Sequence, residues 1–235
     1  MNNTADIFDK MKQMQMFSSL TNDELSALMD KIVIKNFKKN EVILYEGDTN
    51  NYMYLVLSGR VKVIQNTEEG KEIIIAIHKA GESFGELSLI DCKTSSASVL
   101  AMVNTTAAII NKINFFNILY DQKKVLNNML QMFCIRLRDS WSRVQMVNLK
   151  TASQRVIMLL NQLAGEHGEK VAEGILLNIR LTHQNMADMI GLTREAVTRV
   201  LDKLQKDGLV STQKDRRICL RPPFQKEFPL KNLTI

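Results

Sequence analysis

At 235 residues with 45% hydrophobic content, the chain can bury one large core or two smaller ones. Its formal net charge is +6, of which +4 lies in residues 151–235, and this charge permits a polyanionic partner for that part of the chain. No apolar run reaches the roughly 18 residues that a membrane helix needs, and the N-terminus lacks the apolar core of a signal peptide. We therefore expect a soluble cytoplasmic protein without a membrane partner.

Thr21 opens the first predicted helix. It precedes the segment NDELSALMDKI, and Glu24 completes a capping box. From Glu41 to about Val103, short runs rich in Ile, Val, Leu and Tyr alternate with glycines about 11 residues apart. The segments LVLSGRVKVIQ and EEGKEIIIAIHKAGE predict two hairpins, with turns at their SG and EG dipeptides. The sequence therefore predicts an antiparallel roll or barrel.

After Asn117 no glycine occurs until Gly165, and the apolar spacing becomes helical. Steps of four and three residues, typical of a coiled-coil seam, connect seven positions: Leu126, Leu130, Phe133, Leu137, Ser140, Val144 and Val147. The seam predicts a parallel homodimer helix in which Ser140, its polar member, faces the partner or a ligand. The alternative is that the stripe packs on the chain's own barrel.

The last third predicts two short helices joined by a glycine turn. Thr182 caps the first helix and Gly191 ends it, while Thr193 caps the second, which stops before Gly208. This arrangement predicts a helix-turn-helix. The following segment LVSTQKDRRICL alternates around a basic centre and predicts a two-stranded wing.

The second helix carries side chains that can contact DNA bases from the major groove. The predicted base contacts come from Arg194, Glu195, Thr198 and Arg199. Arginine pairs bidentately with guanine and glutamate accepts from the cytosine amino group, whereas a helix that only bound phosphates would avoid a carboxylate. Further DNA contacts are predicted from the helix caps and the wing: Thr182, His183, Gln184, Thr193, Lys214, Arg216 and Arg217. The alternative is a solvated helix face carrying Arg–Glu pairs.

These stretches resemble the cyclic-AMP receptor protein / fumarate-nitrate regulator (CRP/FNR) superfamily of bacterial transcription regulators. The resemblance covers nearly the whole chain and is most specific in LTHQNMADMIGLTREAVTRVLDKLQKDGLV. It implies an α+β chain with an N-terminal antiparallel β jelly roll at 1–120, a dimerisation helix at 121–150 and a C-terminal winged helix-turn-helix at 151–235. It also implies a homodimer on palindromic double-stranded DNA with half-sites similar to TGTGA or TTGAT, and RNA polymerase as a partner.

The resemblance also implies an effector site in the roll. Its residues in this chain are Gly85, Glu86, Leu87, Ser95, Ser96 and Ser140. Relatives that bind cyclic nucleotides carry an arginine, which clamps the phosphate, at the position of Ser95. A hydroxyl neither neutralises a phosphate nor presents a bidentate fork. We therefore expect a small-molecule effector other than cyclic AMP, of unknown identity.

Other sensors of this superfamily remain alternatives to different degrees. Cyclic AMP could still act if Lys93 supplied the missing charge. An iron–sulfur cluster is not expected, because no cysteine precedes Cys92. Haem would need an axial ligand, and the candidate His78 better fits the end of a strand. Cys92 beside Lys93 could act as a thiol sensor.

Two other classes of function compete with a DNA-binding regulator. One is a regulatory or scaffold module whose C-terminal part contacts protein, which would make the predicted base contacts dispensable. The other is an enzyme, but the chain has no HExxH, GxSxG or GxxxxGK motif and no spacing typical of metal ligands, so we expect no catalytic activity.

Overall fold

The computed structural model describes residues 4–213 and 215–229, apart from the side chain of Val147. These residues form two compact units, 4–138 and 139–229. The boundary lies inside a long helix, so the predicted division at residues 120 and 150, with a separate dimerisation segment, stays a prediction. Among the described residues no helix combines the length and hydropathy needed to cross a membrane.

The first unit surrounds a β-roll with helices. Its described helices are α1 (Thr4–Gln13), α2 (Asn22–Met29), α3 (Glu86–Ile90), α4 (Lys112–Asp121) and α5 (Lys123–Val147), the last continuing into the second unit. The capping box predicted for α2 is confirmed, because Oγ1 of Thr21 accepts from the Glu24 N–H and the Glu24 carboxylate accepts from the Thr21 N–H at 2.7 Å.

The strands of the first unit form two antiparallel four-stranded sheets. They are β1 (Ile32–Phe37), β2 (Val42–Leu44), β3 (Tyr52–Ser58), β4 (Arg60–Asn66), β5 (Glu72–Lys79), β6 (Ser83–Phe84), β7 (Ser98–Ala101) and β8 (Thr105–Asn111). The strand orders are β1-β8-β3-β6 and β2-β7-β4-β5. The predicted antiparallel roll is confirmed.

One of the two predicted hairpins is wrong. β4 and β5 pair as predicted, but β3 and β4 lie in different sheets although only Gly59 separates them. Gly59 has a φ of 90°, and a Cβ there would lie 2.5 Å from Oγ1 of Thr105. The SG dipeptide therefore turns the chain from one sheet to the other, where a residue with a side chain would clash.

Strand β3 is buried on both faces because it lies between two cores. Tyr54 and Val56 pack between the two sheets, while Met53, Leu55 and Leu57 pack beneath the helices. The helical core also includes residues of α1, α2, α4 and α5. This double burial explains why β3 is a continuous apolar run rather than an alternating one.

The second unit is a winged helix-turn-helix. Its elements are α6 (Ala152–His167), β9 (Gly168–Val171), β10 (Gly174–Leu177), α7 (His183–Ile190), α8 (Arg194–Lys206), β11 (Val210–Thr212), β12 (Ile218–Leu220) and α9 (Pro222–Glu227). Strands β11 and β12 pair as the predicted wing. Strands β9 and β10, which sequence reasoning missed, extend the wing to a four-stranded sheet of order β11-β12-β10-β9.

The turn between α7 and α8 follows the predicted chemistry. Thr182 and Thr193 are the N-caps, and Gly191 is left-handed with a φ of 63°. Glycine adopts this conformation without the penalty that a Cβ would bring.

Candidate DNA interface and effector pocket

The N-terminal turns of α8 present three of the predicted base-contacting side chains. Arg194, Glu195 and Arg199 are exposed, and within residues 4–213 and 215–229 none of their side chains makes a hydrogen bond or ion pair. Val197 and Leu201, on the opposite face, are buried in the unit. The helix is therefore anchored by its apolar face, and its polar face is available to another molecule.

The fourth predicted base-contacting residue, Thr198, is engaged within the unit. Its hydroxyl donates to the Arg194 carbonyl at 2.9 Å, and its Oγ1 lies 2.8 Å from Nδ1 of His183 on α7. A hydroxyl has one proton, so Nδ1–H of His183 is the donor in the second bond. This bond ties α7 to the beginning of α8, and it leaves Thr198 one lone pair and a methyl group for a base.

The side chains predicted to contact phosphates at the beginnings of α7 and α8 also make hydrogen bonds within the second unit. Thr182 and Thr193 each accept from the backbone N–H three residues further on, at 3.0 and 3.2 Å. Gln184 donates to the buried carboxylate of Asp188 at 2.7 Å. Their contacts with DNA stay predictions.

The arginines of the wing differ in their surroundings. Nε of Arg217 donates to Oδ2 of Asp215 at 2.6 Å, and Nη1 donates to Oδ1 of Asn178 at 3.3 Å. The backbone N–H and side chain of Arg217 hold the pKa of Asp215 below its usual value. Arg216 is exposed, and Lys214 lies outside the described residues. Arg217 thus stabilises the wing turn, whereas Arg216 is open to solvent, and the predicted DNA contacts of both stay predictions.

Helix α5 has two apolar faces. One contains Val125, Met129 and Met132, which are buried in the core of the first unit. The other carries four of the predicted seam residues, which are 38–59% exposed in the single chain: Leu126, Leu130, Leu137 and Val144. The seam residue Phe133 instead packs partly against the core, and the side chain of Val147 lies outside the described residues. The alternative prediction was that the seam residues pack on the chain's own barrel. That packing is made largely by Val125, Met129 and Met132 instead.

The first unit contains a pocket at the N-terminal end of α3. Its lining comprises Leu44, Val63, His78, Phe84, Gly85, Glu86, Leu87, Ser88, Ser95, Ser96, Ala97 and Val99. Five of the six predicted effector-site residues are among them. The sixth, Ser140, belongs to the second unit, and its role stays a prediction.

Glu86 is held by an ion pair that sequence reasoning missed. Its side chain is 2% exposed, and Oε1 accepts from Nη1 of Arg136 on α5. Nη2 of Arg136 also donates to the Ser83 carbonyl at 2.6 Å. Arg136 lies one helical turn before Ser140, so a search for a cation along that face of the helix could have found it.

Gly85 lines the pocket at a position where a side chain would clash with the neighbouring backbone. Its φ is 86°, and a Cβ would lie 2.8 Å from the carbonyl oxygen of Tyr52. Buried Asn50 donates to that carbonyl at 2.7 Å and to the Gly85 carbonyl at 2.8 Å. The glycine therefore allows two backbone segments to approach closely, and Asn50 fixes them there.

Ser95 is integrated into the wall of the pocket. Its hydroxyl donates to the Ala97 carbonyl at 2.8 Å. Its N–H donates to the Asp48 carbonyl and its own carbonyl accepts from the Gly47 N–H, both at 2.8 Å. The polar groups of Ser95 are therefore used to hold the loop in place.

His78 lies in the pocket lining, at the end of β5. Nδ1 is 3.1 Å from a carboxylate oxygen of Glu82, and the ring stacks on Phe84 with a centroid distance of 6.3 Å. Burial would raise the pKa of Glu82, but the hydrogen bond and charge of His78, with the Lys79 N–H, bring it below its usual value. The strand-end position predicted for His78 is confirmed.

The cysteines are separate from one another. Cys92 is exposed, and Nζ of Lys112 lies 3.7 Å from its sulfur, whereas Cys219 is buried. Among the described residues no group of three or more His, Cys, Asp or Glu side chains could hold a metal ion.

The fold and these two sites define a β-roll domain with a pocket, followed by a winged helix-turn-helix. Two protein-family models match the chain: "Cyclic nucleotide-binding domain" at residues 34–122 and "Crp-like helix-turn-helix domain" at 154–223. The chain belongs to the CRP/FNR superfamily of transcription regulators, which are not enzymes.

Similar proteins span nearly the same length. The chain is 27% identical to the cyclic AMP receptor protein of Thermus thermophilus, over 85% of this chain and 89% of the relative. It is 28% identical to the global nitrogen regulator of Synechococcus elongatus, over 80% and 86%. The structure of a CooA mutant from Carboxydothermus hydrogenoformans matches with a TM-score of 0.74 and 28% identity, over 85% of this chain and 88% of that chain.

Proposed function

We propose that this chain is a cytoplasmic, homodimeric regulator that binds a palindromic promoter site and responds to a small molecule other than cyclic AMP in the pocket of its β-roll. The observation that carries the DNA-binding part is the exposed polar face of α8. Arg194 and Arg199 can donate to guanine, while Glu195 can accept from cytosine. RNA polymerase is the partner that a promoter-bound regulator would contact.

A homodimer would account for the exposed seam of α5. Four apolar side chains that are 38–59% exposed at seam spacing favour burial against an identical helix. A two-fold dimer would present two recognition helices to successive major grooves, about 34 Å apart, and the site would then be a palindrome.

The response to an effector is supported by the pocket and by the family. The relative from Thermus thermophilus is named for cyclic AMP, but the chemistry of this pocket argues against transferring that ligand. Ser95 offers no positive charge, and the side chain of Arg136 is already occupied by Glu86. A buried phosphate without a partner would cost several kcal/mol.

The proposal is tested by fluorescence anisotropy of labelled palindromes with purified protein at fixed salt. Duplexes with TGTGA half-sites, TTGAT half-sites and a scrambled sequence are compared, with and without cyclic AMP. We expect about 10³-fold or greater preference for one palindrome over the scrambled duplex and no tightening by cyclic AMP. Equal binding to all three duplexes would favour a protein-binding module. A tenfold or greater tightening by the nucleotide, about 1.4 kcal/mol of coupling, would restore cyclic AMP as the effector.

The dimer is tested separately by light scattering after gel filtration. Leu137→Asp places a charge in the exposed seam and should yield monomers, whereas Arg138→Asp at the next position should not. Dimers of Leu137→Asp would assign the interface to another surface.

A further inference from the structure

His183, the first residue of α7, differs from the other two histidines of the chain in its partners. His78 and His167 each lie beside a glutamate carboxylate, at 3.1 and 3.7 Å. Within the described residues His183 has no ion pair, and its side chain makes one hydrogen bond, from Nδ1 to Oγ1 of Thr198. A positive charge on the ring of His183 would therefore find its counter-charge in another molecule.

The bond to Thr198 determines which nitrogen of the neutral His183 ring carries the proton. Because the Thr198 hydroxyl donates its single proton to the Arg194 carbonyl at 2.9 Å, its oxygen can only accept from the ring. The neutral ring then has its proton on Nδ1, and Nε2 is a hydrogen-bond acceptor. Nε2 becomes a donor only when the ring gains a second proton.

The charged side chains around α7 do not supply an anion to this ring. Asp188, also on α7, is bonded to Gln184 at 2.7 Å, and Arg180 before α7 pairs with a carboxylate of the wing at 3.7 Å. Helix α6, which packs against α7, ends with Glu166 and His167, and these two pair with each other. The remaining charged residues on α6 and within four positions of Thr198 on α8 are Arg155, Arg194, Glu195, Arg199 and Asp202. Across residues 4–213 and 215–229 none of these groups forms an ion pair with the ring.

The place of His183 in the helix-turn-helix brings a different anion close to it. In this motif the first helix crosses the DNA backbone while the second lies in the major groove. His183 begins the first helix, between the exposed residues Thr182 and Gln184. A phosphate oxygen at Nε2 meets a lone pair when the ring is neutral and a donated proton when it is charged. The charged form makes a hydrogen bond roughly twice as strong as a neutral one.

We propose that His183 contacts a DNA phosphate as an imidazolium, with Nδ1–H donated to Thr198 and Nε2–H donated to a phosphate oxygen, so that the ring takes up a proton from solvent when the chain binds DNA. Histidine is the side chain whose charge ordinarily changes between about pH 5 and 8, so DNA affinity rises toward the acid end of that range. Thr198 is the positioning residue, because its hydroxyl keeps the neutral ring from donating to phosphate. This inference rests on the proposed function, in which the second unit binds DNA.

The test is fluorescence anisotropy of the full-length protein on its preferred palindrome, at fixed salt, from about pH 5.5 to pH 8. Wild type should lose about tenfold more affinity across this range than His183→Gln, whose side chain gains no proton. His183→Arg carries a permanent charge, so at the alkaline end it should bind at least as tightly as wild type, with a pH profile as flat as that of His183→Gln.

The outcomes separate this inference from the proposed function. Equal pH profiles for wild type and His183→Gln on a specifically bound palindrome would overturn the inference alone. The absence of any preference for a palindrome at every pH would overturn the proposed function, and the inference with it.

Two further measurements distinguish a charge on His183 from a structural effect. For wild type, the slope of log affinity against log salt should be steeper by about 1 per protomer at the acid end than at the alkaline end, whereas the slope of His183→Gln should not change. Isothermal titration calorimetry in buffers of different ionisation enthalpy counts the protons taken up with DNA. Wild type should take up more than His183→Gln, by up to about one per protomer, and equal uptake would contradict the protonated contact.

Nitrogen NMR of the full-length protein with labelled histidine tests the role of Thr198. At alkaline pH the His183 signal, assigned by its loss in His183→Gln, should report a proton on Nδ1. Thr198→Ser keeps the hydroxyl and should keep this tautomer, whereas Thr198→Val should move the proton to Nε2 and flatten the pH profile of DNA binding. A proton on Nε2 in neutral wild type would overturn the assigned geometry.

Discussion

Replacing Arg136 by methionine should destabilise the first unit by about 3 kcal/mol. Arg136→Met keeps most of the side-chain volume but leaves the Glu86 carboxylate, 2% exposed, without its positive partner. Removing one partner of a buried ion pair costs about 3–5 kcal/mol. The lower end applies because the Arg136 side chain is 30% exposed and water can approach the carboxylate from that side.

Urea denaturation followed by circular dichroism measures this loss. With an m-value of about 1–3 kcal/mol/M, a loss of 3 kcal/mol moves the midpoint by about 1–3 M. The matched control is Arg138→Met, which removes the same charge from an exposed position on the same helix and should cost less than about 1 kcal/mol.

A double variant separates the unpaired charge from lost packing. Adding Glu86→Gln to Arg136→Met removes the stranded charge and should recover part of the stability, which would make the effects of the two substitutions non-additive. Equal losses for Arg136→Met and Arg138→Met, or strictly additive effects in the double variant, would refute the assignment of a buried ion pair to the floor of the pocket.

Three further predictions concern the DNA interface and the pocket floor. Glu195→Ala should relax discrimination at one base pair by about 1–3 kcal/mol, while Arg216→Ala should weaken binding to all sequences alike and reduce the salt slope by about 1, both measured by anisotropy. Thr198→Val removes the hydroxyl that joins His183 to the Arg194 carbonyl. The variant should lose about 1 kcal/mol of unfolding free energy, measured by urea denaturation, and about fivefold in DNA affinity. Gly85→Ala should destabilise the roll by more than about 1–2 kcal/mol, because the left-handed φ is strained and the new Cβ meets the Tyr52 carbonyl, again measured by urea denaturation.

Each of these has a matched comparison. If Glu195→Ala and Arg216→Ala changed affinity in the same way, the division into base and phosphate contacts would be wrong. Thr198→Ser keeps the hydroxyl but removes the methyl group, and it should resemble wild type, so a loss equal to that of Thr198→Val would mean that the hydroxyl alone does not account for the effect. Gly81→Ala shares a positive φ, 94°, but has nothing within 4 Å of its Cβ, so an effect as large as that of Gly85→Ala would remove the steric argument.

Elements with local signals could be predicted from the sequence. The caps at Thr21, Thr182 and Thr193 and the turn at Gly191 depend on residues within one helical turn, and the structure has them where the pattern predicts. The C-terminal helix-turn-helix and its wing followed from the same kind of signal. The predicted effector-site residues came from the family resemblance, and five of the six line one pocket.

Features that depend on contacts between distant segments could not be predicted from local patterns. The sequence around Gly59 favours a hairpin, but Thr105, 46 positions further on, packs against that glycine, and the chain turns into a second sheet. Strands β9 and β10 are four residues each, too short to show a period of their own, and they exist because β12 pairs with β10. Arg136 follows Glu86 by 50 residues, and only folding brings the two together, because the burial that makes a carboxylate need a cation exists only in the folded unit.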